Sequence, residues 1–448
     1  MQIQDMPIEE IKPGPRNARS HPEKQVEKIA KSIKQLGFRN PVLIDTDNVV
    51  IAGHGRLLAA RHLGMTKLPV IVISDLNEPQ KRALRIADNK VAEDAGWNLE
   101  VLQIELKELS ELEFDVELSG FSTGEVDLII DGEASSRGTV SDDEIAMPPH
   151  EGAPVSCSGD VWELGPHRLL CGSALHHRSY EQVLQDEKAQ LIIADPPFNV
   201  KINGHVKGRG KTHHREFLMG SGEMSKAGFT NFLATTVDFL IQFSRSGSIH
   251  FLFIDWRHLP EMLHAALPAY HEWKNLLVWN KENAGQGTFF RSKHELILAF
   301  KNGSATHINN FGLGEMGRYR ANVLDYPGTK SLHSASQGEL DLHPTRKPVA
   351  LIADLIRDCS RRKGIVLDPF CGSGTIIIAA ERTGRIARAI ELDHCLSMLR
   401  YNAGRSYQIN LRFIKGPGLA LKSTQLNAKE SRDPNDARYS WHWVNPKT

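Results

Sequence analysis

The chain has few cysteines, no surplus of charge and no long apolar run, and each shortage excludes something. Five cysteines in 448 residues, with no Cys-x-x-Cys pair, rule out a disulfide framework and point to reduced thiols in a cytosolic protein. Lysine plus arginine number 54 and aspartate plus glutamate also 54, so the chain has no overall field for a charged partner, and any binding face of one sign must be local. No uninterrupted apolar run reaches membrane-spanning length, and the start Met-Gln-Ile-Gln-Asp-Met lacks a basic apolar signal. A soluble, cytoplasmic protein with no membrane partner is expected, and its length suits two or three domains.

Two short motifs carry the chemistry. Ile365, Val366 and Leu367 form an apolar run that meets Asp368-Pro369-Phe370-Cys371-Gly372-Ser373-Gly374-Thr375 and then a helix-like stretch to Thr383, which predicts a strand, a loop and a helix. Gly372 and Gly374 remove side chains where a ligand approaches the backbone, and the following helix turns its N-terminal amides and dipole toward that ligand. A second run, Ile386 to Ile390, ends in Glu391, the place of the acidic residue that hydrogen-bonds a ribose in doubly wound nucleotide sites. The ligand is therefore expected to contain a nucleoside. No lysine follows Gly374, so the spacing is not that of a triphosphate-cradling loop. Cys371 reads as a small pocket-lining residue, and no metal set is expected.

The other motif, Asp195-Pro196-Pro197-Phe198, closes the apolar run Leu191 to Ala194, at the carboxyl end of a predicted parallel strand where open α/β sheets bind ligands. The prolines fix φ and remove backbone donors, leaving carbonyls free to accept. An exocyclic amine needs such acceptors: Asp195 and a carbonyl of this turn would draw on its two N–H bonds, and Phe198 would stack on an extruded base.

With both motifs in place, the chain resembles the S-adenosylmethionine-dependent DNA amino-methyltransferases, and the catalytic-first order is similar to their β group. The resemblance runs from about Gly159 to Tyr401. His343-Pro344-Thr345-Arg346-Lys347-Pro348 is similar to a family segment that helps hold the methionine end of the cofactor, and Val278-Trp279-Asn280-Lys281 and His294-Glu295 also match family blocks. It implies a doubly wound, Rossmann-like α/β domain that binds S-adenosylmethionine through Asp368, Phe370, Gly372, Gly374, Thr375, Glu391, Thr345 and Lys347. The catalytic residues it implies are Asp195, Pro196, Pro197 and Phe198. The chain departs at Gly172-Ser173, where the family has Gly-Asp. Asp at the head of the catalytic motif leans toward adenine within the family, with cytosine as the alternative target.

Between the motifs lie candidate contacts to double-stranded DNA. Lys207, Arg209, Lys211 and Arg215 sit among glycines after the catalytic strand, as suits phosphate contact. The interval of about 285–342 corresponds to the family's target recognition region, where Arg318, Tyr319, Arg320 and Asn322 are of the types that read base edges.

Composition shifts over 131–158, where Gly, Ser, Pro and acidic residues replace periodic apolar ones, which predicts a linker between an N-terminal unit, 1–130, and a catalytic domain, 159–403. In the N-terminal unit, Val26, Ile29, Ile33 and Leu36 recur at helical spacing. Pro41 to Ile44, Val49 to Ala52 and Pro69 to Ile73 read as strands, Leu57 to Leu63 as a helix, and a helical extension follows. This small α/β unit resembles the ParB N-terminal family through Asn17 to His21 and the box Ile51-Ala52-Gly53-His54-Gly55-Arg56, a phosphate-cradling box in nucleotide-binding members. His54-Gly55 stands where the triphosphate-hydrolysing members carry Glu-Arg. The combination is similar to proteins of prophages and bacteria. Three matters stay open on the sequence: a nucleotide at the ParB-like unit, a homodimer, and the opposite reading in which a ParB-like regulator carries a degenerate methyltransferase half. The tail, 404–448, shows no clear periodicity.

Overall fold

The computed structural model describes residues 2–14, 18–94, 96–112, 114–131, 156–200, 220–282, 284, 289–311, 320–328, 347–393 and 411–414. The chain is α/β throughout, built on two sheets. The smaller has four strands, β1 (Ile3–Pro7), β2 (Val42–Asp45), β3 (Val50–Ala52) and β4 (Lys67–Ile73), in the order β1-β4-β2-β3, with β4 and β2 parallel and the outer pairs antiparallel. Helices α1 (Glu23–Leu36), α2 (His54–His62) and α3 (Glu78–Asp94) accompany it. Ile11, Val42, Ile44, Val50, Leu57, Ala60, Leu68 and Val70 fill its core.

Two element starts differ from the sequence expectation by more than one residue, and one strand was not expected. Helix α2 starts three residues earlier than the Leu57 expected, because Gly53 takes the left-handed conformation, φ 99°, and turns the chain into it. Strand β4 starts at Lys67, and β1 pairs along it from Ile3. The β1 segment is an exposed edge of mixed polarity, which leaves no apolar run to read.

The helical extension is α4 (Leu99–Glu111), a short 3-10 turn over Val116–Ser119 and α5 (Thr123–Asp131). Asn98 Oδ1 caps α4 by accepting from Val101 N at 3.2 Å. Leu102, Leu106, Val116 and Val126 give this stretch a small core of its own. Lys31 of α1 ties it back to the first unit through Asp115 and Glu117, at 2.8 and 3.0 Å.

The larger sheet has ten strands. In chain order the elements are β5 (Val161–Leu164), β6 (His167–Cys171), α6 (His177–Leu184), β7 (Ala189–Ala194), α7 (Lys226–Gln242), β8 (Ser244–Ile254), α8 (Leu259–Ala266), β9 (Glu272–Asn280) and β10 (His294–Lys301). They continue as β11 (Val323–Asp325), α9 (Val349–Cys359), β12 (Ile365–Asp368), α10 (Thr375–Arg382), β13 (Ile386–Glu391) and β14 (Leu411–Ile414). The spatial order is β11-β9-β10-β8-β7-β12-β13-β6-β5-β14. Strands β8, β7, β12, β13 and β6 are mutually parallel. Their side chains alternate between two apolar layers: Leu191, Ile193 and Val366 face α9 and α10, while Ile192, Ala194, Ile365 and Leu367 face α6, α7 and α8. Burial on both faces is why these strands read as continuous apolar runs.

The chain leaving β7 crosses to β8 on one side, and the chain leaving β12 crosses to β13 on the other. That reversal opens a crevice at the carboxyl ends of β7 and β12, the general ligand position of a doubly wound sheet. The two sequence motifs, far apart in the chain, both end at it. No helix among the described residues is long and apolar enough to cross a membrane.

Helix α5 also packs on the catalytic unit. Asp127 takes a bidentate pair from Arg385, at 2.9 and 2.8 Å, and Asp131 pairs with Arg357 of α9 at 2.8 Å. The helical extension therefore has contacts on both sides. Of the expected linker, 132–155 lies outside the described residues, as does most of the tail.

Candidate active site

Asp368 ends β12, and its Oδ1 accepts from Phe370 N at 2.9 Å, which bends the chain into the Gly-rich loop. Gly372 and Gly374 hold positive φ of 51° and 80°, and Gly374 is the left-handed cap from which α10 starts. Glu391, at the end of the neighbouring β13, clasps the loop: one oxygen accepts from Gly372 N at 2.6 Å and the other from Asp393 N at 2.8 Å. Thr375 Oγ1 donates to the main-chain oxygen of Lys347 at 3.3 Å. Asp368, Phe370, Gly372, Gly374, Thr375, Glu391 and Lys347 are thus brought together, and Thr345 lies outside the described residues. Burial pushes the Asp368 carboxyl up to about 8, with the nearby carboxylates Asp195 and Glu391 adding to the rise. Cys371 is fully enclosed, and burial drives its thiol well above the ordinary range, which removes it as a nucleophile.

Across the crevice, Asp195 follows β7 directly. Its Oδ2 accepts from Lys347 Nζ at 2.5 Å, and Lys347 also reaches Glu295 Oε2 at 3.2 Å. Lys281 Nζ closes the set by pairing with the other Glu295 oxygen. Two carboxylates and two ammonium groups therefore form one compact cluster without net formal charge. Burial holds the Asp195 carboxyl above its ordinary value, and Glu295 reinforces this against the opposing Lys347. Glu295 itself is lowered, since its two lysine partners outweigh the cost of burial. Lys347 is lowered by burial but raised further by its two carboxylates. Asp195 Oδ1 is enclosed and, among the described residues, has no hydrogen-bond partner. A buried acceptor without a donor costs about 1–3 kcal/mol.

Pro196 is buried and Phe198 is half-buried, packed on both apolar layers with its ring 5.6 Å from Lys347 Nζ. Pro197 lies so close to Gly220 that a β-carbon there would meet it at 2.7 Å. Asn199 ties this turn to the returning chain: Nδ2 donates to Met224 O at 2.8 Å, and Oδ1 accepts from Gly222 N and Met224 N, both at 3.1 Å. The basic segment with Lys207, Arg209, Lys211 and Arg215 lies outside the described residues, but its two flanks are thereby held together beside Asp195.

Lys347, expected at the cofactor, presents its main chain to the cofactor loop and its ammonium to Asp195. Arg320, expected to read base edges, is engaged elsewhere: its guanidinium pairs with Asp354 and Asp358 of α9, at 2.8 and 2.9 Å. Arg318 lies outside the described residues. The sequence reading assigned no role to Lys281 or Glu295, although both fall in blocks it singled out. The signal that could have found them is position, one just after β9 and one at the start of β10, at the same sheet edge as Asp195.

In the ParB-like unit, the cap of α2 gathers Gly53, His54 and Arg56. His54 Nε2 is buried without a partner among the described residues, and burial, with Arg85 and His21 nearby, lowers the ring to about 4. Arg56 Nη1 donates to Asn40 O at 2.9 Å.

A doubly wound sheet with a Gly-rich loop, an acidic clasp and a proline-flanked carboxylate at its switch point is a Rossmann-like α/β fold. Comparison with known families gives the particular kind. Residues 189–396 match the DNA methylase (N6/N4) family, 1–90 the ParB N-terminal domain and 100–158 the ParB-methyltransferase HTH domain. The chain belongs to the ParB-like family through its N-terminal unit and carries an N6/N4-family DNA methylase domain. The ParB-like nuclease domain-containing protein YnaK of Escherichia coli (strain K12) is 50% identical over 76 residues, 17% of this chain and 87% of that protein. The type II methyltransferase M2.MboI of Moraxella bovis is 25% identical over 239 residues, 50% of this chain and 83% of that protein. Among solved structures, the PvuII DNA methyltransferase (cytosine-N4-specific) aligns with a TM-score of 0.39 at 14% identity, covering 55% of this chain and 89% of that one.

Proposed function

We propose that the chain transfers a methyl group from S-adenosylmethionine to the exocyclic amine of adenine in double-stranded DNA. The observation that carries the proposal is the enclosed Oδ1 of Asp195, without a partner among the described residues, beside the clasped Gly-rich loop. The loop suits a nucleoside cofactor: Gly372 and Gly374 let it approach the backbone, Glu391 stands where a ribose hydroxyl would be held, and Asp368 and Phe370 border the place. When bound, S-adenosylmethionine supplies an electrophilic methyl on a sulfonium.

The chain's own residues do the rest. Asp195 Oδ1 accepts one N–H of the flipped amine, and a main-chain carbonyl of Pro196 or Pro197 accepts the other, which aims the nitrogen lone pair away from both. Phe198 supports the base face. The amine would take the methyl as its bond to sulfur is lost, and the amine's proton would pass to Asp195 or solvent. The raised affinity of Asp195 for protons favours that transfer. Lys207, Arg209, Lys211 and Arg215 would meet phosphates. In the ParB-like unit, the Gly53 cap and His54 Nε2, without a partner among the described residues, support a bound nucleotide.

The test is to incubate the protein with unmethylated bacterial DNA and labelled S-adenosylmethionine, then digest the DNA to nucleosides. Labelled methyladenine is the expected product. Labelled methylcytosine would keep the chemistry and overturn the target, and the absence of label with cofactor bound would overturn the reading.

A second expectation concerns pH. Asp368 is protonated in the free protein below about 8, whereas its ionised form is the better neighbour for a cofactor with sulfonium and ammonium charges. Binding should therefore release a proton, and affinity should rise by up to ~10-fold per pH unit between the ordinary carboxylate range and pH 8, then level off. Calorimetric titration across pH 5–9 would show this slope, and Asp368→Asn should flatten it. A flat wild-type profile below pH 8 would refute it.

A further inference from the structure

The loop joining β9 to β10 places two exposed aromatic rings at the same sheet edge as Asp195. Phe289 and Phe290 are 88% and 85% exposed and meet each other edge to face, with ring centroids 4.6 Å apart. Isolated exposed apolar residues are ordinary, but two adjacent phenylalanines this bare forgo the gain of burying both rings. Beside them, Trp256, following β8, is half exposed and its Nε1 donates to Ser292 Oγ at 3.1 Å. Arg257 lies over the Trp256 ring at 4.9 Å, and Arg291 and Lys293 are exposed on the loop itself.

The base of this loop is fixed to the catalytic cluster. Lys281 N donates to Lys293 O at 2.8 Å, and Lys281 Nζ holds Glu295, which shares Lys347 with Asp195. The rings are thus referenced through a short chain of ion pairs to the carboxylate that receives the base.

We propose that Phe289 and Phe290 form a wedge that enters the duplex beside the target and fills the space left when the base turns out toward Asp195. This rests on the reading of the chain as a duplex DNA methyltransferase and adds the device that opens the duplex. Flat apolar rings match the faces of stacked bases, and the surrounding arginines and lysine match the flanking phosphates. Rotating a paired base out costs a few kcal/mol, and stacking on the wedge offsets part of that cost.

The test compares wild type, the Phe289→Ala/Phe290→Ala variant and the Phe289→Trp/Phe290→Trp variant. The substrates are two duplex oligonucleotides carrying the site found by sequencing methylated plasmid DNA, one fully paired and one mismatched at the target. The alanine variant should transfer methyl to the paired duplex at least ~10-fold more slowly, with cofactor affinity unchanged, and the mismatch should restore most of the loss, because the base then turns out at lower cost. The tryptophan variant should stay near wild type. Paired-duplex transfer by the alanine variant within twofold of wild type, or an equal loss on both duplexes, would overturn the wedge alone. No transfer to DNA by wild type would remove the functional reading and the wedge with it.

Discussion

Asp195→Ala is expected to lower methyl transfer by about 10²–10⁴-fold, the usual range for removing a positioned proton-handling group, while S-adenosylmethionine affinity changes little. The separation follows from the geometry. The cofactor loop is shaped by hydrogen bonds from Phe370 N to Asp368 and from Gly372 N to Glu391, and neither involves Asp195. The lost group is the acceptor that orients the amine and takes its proton. Lys347 keeps its contact to Glu295 at 3.2 Å, so it stays paired, although the cluster gains a positive charge. Asp195→Asn retains the shape and one oxygen acceptor but not the charge, so it should fall between alanine and wild type if orientation and proton affinity both contribute. Initial rates with labelled cofactor and DNA, beside cofactor titrations of each variant, check this. Near wild-type turnover in the alanine variant would end the assignment.

The parts of this site that the sequence made legible are those where one segment carries both shape and chemistry. Strands β7, β12 and β13 are buried on both faces, so their apolar runs announced them, and the residue after or at each carboxyl end was then a candidate by position alone. Asp195, Asp368 and Glu391 were singled out in this way, and the structure places them at the carboxyl ends of β7, β12 and β13. The cluster that holds Asp195 was not legible, since Lys281 and Glu295 come from segments that only the strand order β9-β10-β8-β7 brings to its edge, and Lys347 comes from the turn before α9. Residue type misled at Arg320: an arginine amid glycines and aromatics looks like a base reader, yet Asp354 and Asp358, one turn apart on α9, take its guanidinium. Nothing in an amphipathic helix tells which of its carboxylates will meet such a partner. The same holds for α5, whose Asp127 sits among Val126, Leu128 and Ile129 and reads as an ordinary polar position in an extension of the first unit.

That aspartate carries the largest expected effect on stability. Asp127 is 1% exposed and Arg385, across the contact with the catalytic unit, is fully enclosed. Besides the bidentate pair, Arg385 donates through Nε to Ser360 Oγ at 3.1 Å and through Nη1 and Nη2 to Thr383 O and Ser360 O, at 2.5 and 2.9 Å. Arg362 adds a second guanidinium on Asp127 at 2.9 Å. A single carboxylate therefore compensates two arginines, one of them out of reach of water. Removing one partner of a buried ion pair leaves an uncompensated charge and costs about 3–5 kcal/mol, so Asp127→Ala should lower the unfolding free energy of the full chain by that order. Asp131, 3.6 Å from Arg362 Nη2, offsets only part of the loss, because it already serves Arg357. Adding Arg385→Met to the alanine variant should recover some of the stability by removing the stranded charge itself. Denaturant titrations of the three proteins decide the matter, and a loss below ~1 kcal/mol in Asp127→Ala would show that water or a shifted side chain reaches Arg385.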